Sequence, residues 1–220
     1  NSLTSNNSAV NSWILTTLYG GTLNGGAFSN IQTLTGNSAI SDTLTGINQD
    51  NDWQVTGSNS GTVGEDGIGT SIAFSGMENL TGHDGVDDFT LADGASISGT
   101  INGGNGSNSL TSNNNAANSW ILTALYGGTL NGDAFSNIQT LTGNSAISDT
   151  LTGINQNNDW QITGTNTGTV GEDGAGTSIA FNGMENLTGN ASDDSFQFNA
   201  SGLISGLIDG GSHVSGDTLD

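Results

Sequence analysis

Apolar residues along this chain come singly or in short alternation, mostly six to twelve residues apart. Leu34, Leu44, Trp53, Val63, Phe74, Leu80, Phe89, Ile97, Ile101 and Leu110 each sit in a segment closed by Gly, Asn, Asp or Ser. Alternation at period two between turn residues predicts short, half-buried strands. Gly and Asn interrupt nearly every ten-residue window, and no i, i+3, i+4 apolar stripe lasts three turns, so no long helix is expected.

The strand pattern repeats. Residues 1 to 82 recur at 108 to 189, an offset of 107, with about ten gentle substitutions such as Val55 to Ile162 and Ser75 to Asn182. A second repetition lies within each copy. Trp13-Ile14-Leu15-Thr16 and Trp53-Gln54-Val55-Thr56 lead to Gly21-Thr22-Leu23 and Gly61-Thr62-Val63, and then to boxes running from Phe28 to Gly36 and from Phe74 to Gly82. The loop around Gly64-Glu65-Asp66-Gly67-Ile68-Gly69 accounts for the greater length of the second sub-unit.

Strands with one or two inward residues cannot fill a thick sandwich, but stacked coils give each inward residue a similar neighbour one rung away. The expected fold is therefore all-β, a right-handed parallel β-helix or β-solenoid with tandem repeats of 107 residues and about twenty to thirty residues per coil. Residues 1–107 form the first repeat, with sub-units about 1–46 and 47–107, and residues 108–220 form a second repeat continuous with it. Its core is assigned to Trp13, Phe28, Leu34, Trp53, Phe74, Leu80 and Phe89, and to Trp120, Phe135, Leu141, Trp160, Phe181, Leu187 and Phe196. The tryptophans are expected to cap or fill wide corners of the coil. Proline is absent, as suits ladders that need every N–H, and Asn is expected at left-handed corners.

Composition narrows the function. The 220 residues include 21 acidic ones and no Lys, Arg or Cys, for a formal charge of −21. Without cations the chain cannot neutralise phosphates, so nucleic acid and polybasic attachment to anionic lipid are excluded as partners. No apolar run approaches the ~20 residues of a membrane span, so membrane insertion is not expected. Asn1-Ser2-Leu3-Thr4 is not the basic start of a signal peptide, and export is expected to use a signal outside this sequence.

Gly82-His83-Asp84-Gly85-Val86-Asp87-Asp88-Phe89-Thr90 and Gly103-Gly104-Asn105-Gly106-Ser107-Asn108-Ser109-Leu110-Thr111 resemble the hemolysin-type calcium-binding nonapeptide, each with one departure, His83 and Asn108. The tail from Asp209 to Asp220 is a stretched relative. Together with Glu-Asn-Leu-Thr-Gly and Ile-Ser-Gly-Thr-Ile-Asn-Gly-Gly, the pattern resembles large repetitive surface proteins and adhesins of Gram-negative bacteria. The resemblance implies an extracellular or cell-surface filament. It implies Ca²⁺ as cofactor, with Asp84, Asp87, Asp88, Asp193, Asp194, Asp217 and Asp220 as candidate ligands. The second copy keeps Asp194 but places Ala191 and Ser192 where the first has Asp84 and Gly85.

Other constellations carry less. His83, Asp84, Asp87 and Asp88 could pair carboxylates as in polysaccharide-active β-helices, but no cation other than His is available to hold an acidic sugar, and Asn190 and Ala191 replace His83 and Asp84 in the second copy. An enzyme is not expected. Glu65-Asp66 and Glu172-Asp173 sit in a Gly-rich insertion that could wrap a cation or project from one face of the rod, and Asp42 and Asp149 read as turn residues. An ice-binding face would need a regular Thr array, which the spacing does not provide. The expected function is a structural or adhesive rod segment presenting an acidic, Thr/Asn-rich surface. Its partners would be neighbouring repeats or copies of itself end to end, and cell-surface or carbohydrate ligands.

Overall fold

A computed structural model describes residues 1–37 and 41–220. Among them the regular structure is β-strand, without helix. The chain divides into two compact units, residues 1–111 with 133–137 and residues 112–132 with 138–220.

In the first unit the chain passes alternately between two mostly parallel sheets. One sheet is ordered Ser2–Thr4, Thr33–Thr35, Ser71–Ser75, Ser60–Glu65, Asn51–Gly57, Asp87–Leu91 and Ser109–Ser112. The other is ordered Asp133–Ser136, Thr100–Asn102, Asn79–Thr81, Thr43–Thr45, Ser12–Thr17, Gly20–Leu23 and Gly26–Ser29. Such winding between parallel sheets is consistent with a β-solenoid.

Coil length is uneven, and the longer coils exceed the range of about twenty to thirty residues expected from the sequence. Ser12 pairs with Thr43, Thr43 with Asn79 and Leu80 with Ile101, steps of 31, 36 and 21 residues. The short step is a plain coil. The longer ones each contain a three-stranded antiparallel meander, Ser12–Ser29 or Asn51–Ser75. Asn24 and Gly25, with φ of 51° and 83°, form the tight turn before Gly26–Ser29, the Asn-Gly pair that two-residue hairpins favour. Alternating apolar residues look alike in parallel and antiparallel strands, so the pattern alone could not separate a coil from a meander.

The inward residues stack. In the second sheet Trp13, Leu44, Leu80, Ile101 and Phe135 face one another rung by rung. In the first sheet Leu3, Leu34 and Phe74 do so, and Trp53 pairs with both Val63 and Phe89. Phe74 also lies opposite Gly61, where a Cβ would come within 2.1 Å of the Gln54 carbonyl oxygen, so the ring covers a strand that has no room for a side chain.

The second unit has matching columns: Trp120, Leu151, Leu187 and Ile208, and Trp160, Phe196 and Leu219. All four tryptophans are wholly buried at the second or third position of a strand rather than at corners. Trp53 and Trp160 stack on Phe89 and Phe196 at 5.4 Å and meet Phe74 and Phe181 edge-on at 6.0 Å. Each of the four lies on the first strand of a meander. Of the fourteen core residues expected, only Phe28 is not buried, because Gly26–Ser29 is an edge strand.

Candidate functional site: buried carboxylate corners and a repeated groove

Where each coil turns into a strand, a short polar side chain points inward and serves the coil beside it. In the first unit the Asn11 backbone N–H donates to Asp42 Oδ1 at 2.7 Å, and the Asn11 side-chain amide donates to the same carboxylate at 3.0 and 3.1 Å. Asn37 N–H donates to Asp42 Oδ2 at 2.7 Å. Asp42 N–H donates in turn to Glu78 Oε2 at 2.9 Å, and Asn59 donates its amide to Glu78 Oε1 at 3.1 Å. In the second unit Asn118, Asp149, Glu185 and Asn166 make the same bonds. Side chains thus satisfy the strand-entry N–H groups that the ladder leaves over.

A second column runs along the other sheet. Asn51 donates its amide to Asp87 Oδ1 at 2.6 Å, and Asp87 N–H donates to Asn108 Oδ1 at 2.9 Å. Asn158 donates to Asp194 Oδ1 through N–H at 2.8 Å and through its amide at 2.7 Å, and Asp194 N–H donates to Asp217 Oδ1 at 2.9 Å. The Oδ2 atoms of Asp87 and Asp194 are buried with no hydrogen-bond partner. A Cβ on Gly82 or Gly189 would lie 2.2 Å from these oxygens, so the glycine five residues upstream makes room for the carboxylate. Burial pushes Asp87 up to about 6, against the opposing effect of the Asn51 hydrogen bonds, and raises Asp194 for the same reason.

The seven candidate metal ligands are dispersed. Asp84 is exposed, accepts from the Asn105 amide at 2.6 Å and lies 3.7 Å from His83 Nδ1. Asp88, exposed, accepts from the Ser109 hydroxyl, while its neighbour Asp87 faces inward, as strand alternation requires. Asp193 accepts three backbone N–H bonds, from Val214, Ser215 and Gly216, which hold its carboxyl below the usual range. Asp217 lies 3.5 Å from His213, and Asp220 joins the last ladder through its backbone. Among the described residues no three acidic or histidine side chains gather as a metal would require. Strand alternation turns Asp87 inward and leaves Asp88 exposed, so these carboxylates do not point to one centre. The four members of the His83–Asp88 cluster likewise do not converge on one cleft.

Sequence reasoning missed the columns themselves. Their signal was present as Gly followed five or six residues later by Asp or Asn: Gly36 and Asp42, Gly46 and Asn51, Gly82 and Asp87, Gly103 and Asn108.

Beside each Gly-rich loop lies a polar groove. Asp52, Gln54, Thr62, Glu65, Thr70 and Ser71 line about 190 Å³ in the first unit, and Asp159, Gln161, Thr169, Glu172, Thr177 and Ser178 line about 340 Å³ in the second. In both, the Gln donates to the Asp beside it, at 2.7 and 2.8 Å. The outward columns elsewhere are mixed: Ser12, Thr43, Asn79, Thr100 and Ala134 form one, and Ile14, Thr45, Thr81, Asn102 and Ser136 the next. Neither is a regular hydroxyl array.

No protein-family model, curated protein or solved structure matches the chain.

Proposed function

We propose that the chain is a segment of a right-handed β-solenoid built from tandem 107-residue units, serving as a non-catalytic structural or adhesive rod on a bacterial surface, akin to repetitive adhesins with hemolysin-type repeats. The observation that carries this reading is the stack Trp13–Leu44–Leu80–Ile101–Phe135, in which the strand of one coil is covered by a chemically similar strand of the next. A core of that kind has no natural limit in one direction, so added units add length without thickening the molecule. The polar grooves at Asp52 and Asp159 would then recur along the rod, giving many weak sites for hydroxyl-rich ligands such as surface glycans.

Small-angle scattering on this chain and on two and four copies joined in tandem tests the reading. Maximum dimension should rise in proportion to copy number at constant cross-sectional radius. Growth as the cube root of mass would refute it.

A further inference from the structure

An Asn-Gly pair is a place where a backbone can attack its own side chain, because the glycine nitrogen has no Cβ beside it to shield it. The chain has five such pairs, at Asn24, Asn102, Asn105, Asn131 and Asn182. The reaction needs a side-chain amide free to swing onto the nitrogen that follows it, so whatever holds each amide decides which pair reacts.

Four are held through the side-chain carbonyl. Ser12 N–H donates to Asn24 Oδ1 at 2.9 Å and Ser119 N–H to Asn131 Oδ1 at 2.8 Å, while the two amides donate to Asn11 Oδ1 and Asn118 Oδ1, each at 2.9 Å. Asn102 Oδ1 accepts from Gly104 N–H at 2.9 Å and from the Asn137 amide at 2.8 Å, and the Gly103 N–H that would attack it is committed to the Ser136 carbonyl oxygen at 2.9 Å. Asn182, at the end of the strand Ser178–Asn182, accepts from the Thr167 hydroxyl at 3.3 Å. Asn105 differs. It is exposed, in the turn between Thr100–Asn102 and Ser109–Ser112, and among the described residues its side chain makes one bond, from its amide to Asp84 Oδ1 at 2.6 Å. Asp84 is itself exposed, so water competes for that bond and it restrains the amide little.

We propose that Asn105 is a self-modification site at which the folded chain loses ammonia. The Gly106 backbone nitrogen attacks Asn105 Cγ and gives up its proton, the Cγ–Nδ2 bond breaks, and Nδ2 leaves as ammonia from a five-membered succinimide. Water then opens the ring at either carbonyl, leaving an aspartate or an isoaspartate at position 105. Either product disturbs a tight contact between two coils. Asn105 N–H donates to the His83 carbonyl oxygen at 2.8 Å, and a Cβ on Gly104 or Gly106 would come within 2.1 Å of that oxygen or 1.7 Å of the Gly85 carbonyl oxygen. Isoaspartate adds a backbone atom where there is no room for one, and aspartate sets a second carboxylate against Asp84. The matching position of the second unit is Ser212, which has no amide to lose, so this weak point belongs to the first unit alone. The inference goes beyond the rod reading and does not depend on it.

Peptide mapping by mass spectrometry tests it, on the intact chain held for several weeks in mildly alkaline buffer at physiological temperature. The chain has no Lys or Arg, so an acid-specific protease and pepsin replace trypsin, and electron-transfer fragmentation separates aspartate from isoaspartate. The expected result is conversion at Asn105 several-fold faster than at Asn24 or Asn131, with the difference lost in urea, where the fold no longer holds any of the five. Asn105→Ser, the residue of the second copy, should fold and show no early product. The melting temperature of the aged chain should fall with the fraction converted, and Asn105→Asp should lower it when fresh. Conversion at Asn24 or Asn131 as fast as at Asn105, or an unreacted Asn105 in folded chain when the urea-treated chain has converted, overturns the proposal. An aged, fully converted chain that melts like the fresh one overturns the loosening of the coil contact.

Discussion

Asn51 gives its side-chain amide to one oxygen of Asp87 at 2.6 Å, while the other oxygen of that carboxylate lies buried with no hydrogen-bond partner. Half of the group is well served and half is stranded. Asp194 repeats the arrangement on Asn158. A carboxyl held this way is easier to keep neutral than charged.

The first prediction concerns pH. Asp87 is raised to about 6 in the folded chain, above the ~3.9 of an unfolded carboxyl. Between those values the folded state holds a proton that the unfolded state has released. The stabilisation from this group is therefore complete below pH ~4 and is lost as pH rises through 6. Asp87→Asn removes the charge and keeps an acceptor, so it should stabilise the chain by about 1–2 kcal/mol at pH 7 and by almost nothing at pH 4. Urea unfolding at the two pH values reads this; equal effects at both would contradict it.

Asp42 is served on both sides, since both of its oxygens accept hydrogen bonds from Asn11 and Asn37. Asp42→Ala strands two backbone N–H groups and should cost about 2–4 kcal/mol, with Asp42→Asn costing less. Equilibrium denaturation of the pair gives the comparison, and a loss below 1 kcal/mol for the alanine variant would show that solvent replaces the carboxylate.

Trp53 fills the core between Phe74 and Phe89, yet its indole N–H has no acceptor. Trp53→Ala should destabilise by about 3–5 kcal/mol through the cavity it leaves. Trp53→Phe gives up volume but also removes an unsatisfied donor, and should cost about 1–2 kcal/mol. Similar losses for the two variants would mean that the indole nitrogen is served after all.

A chelator should leave the melting temperature unchanged, because the candidate ligands from Asp84 to Asp88 and from Asp193 to Asp220 do not gather as a metal site among the described residues. A fall of several degrees in EDTA, reversed by Ca²⁺, would return calcium to the structure.

Much of the fold was legible in the chain. Trp13, Leu34, Leu80 and Phe89 were assigned to the core from their spacing alone, and each is buried, because an isolated apolar residue between turn residues has only one face to hide. Asn at left-handed corners is also expected, and Asn30 and Asn137, where the chain passes between sheets, have φ of 57° and 56°; Asn24, Asn59, Asn131 and Asn166, with φ near +50°, lie instead in the hairpin turns of the meanders. The meanders were not legible. Thr22 and Thr62 lie in antiparallel strands and Thr43 in a parallel one, within similar alternating patterns.

The nonapeptide likeness also stopped short of the site. Spacing brought Asp87 and Asp88 together in sequence, but strand alternation sends one into the core and the other to solvent.

By itself, the sequence determined that this chain is strand-built, repetitive and acidic, because local alternation, internal identity and the absence of cations are properties of residue order. Tertiary structure alone decided which strands run antiparallel and which carboxylates turn inward. Those outcomes depend on which residues meet, across 3 to 15 positions in the meanders and 21 to 40 between coils, and such pairings leave no periodic trace of their own.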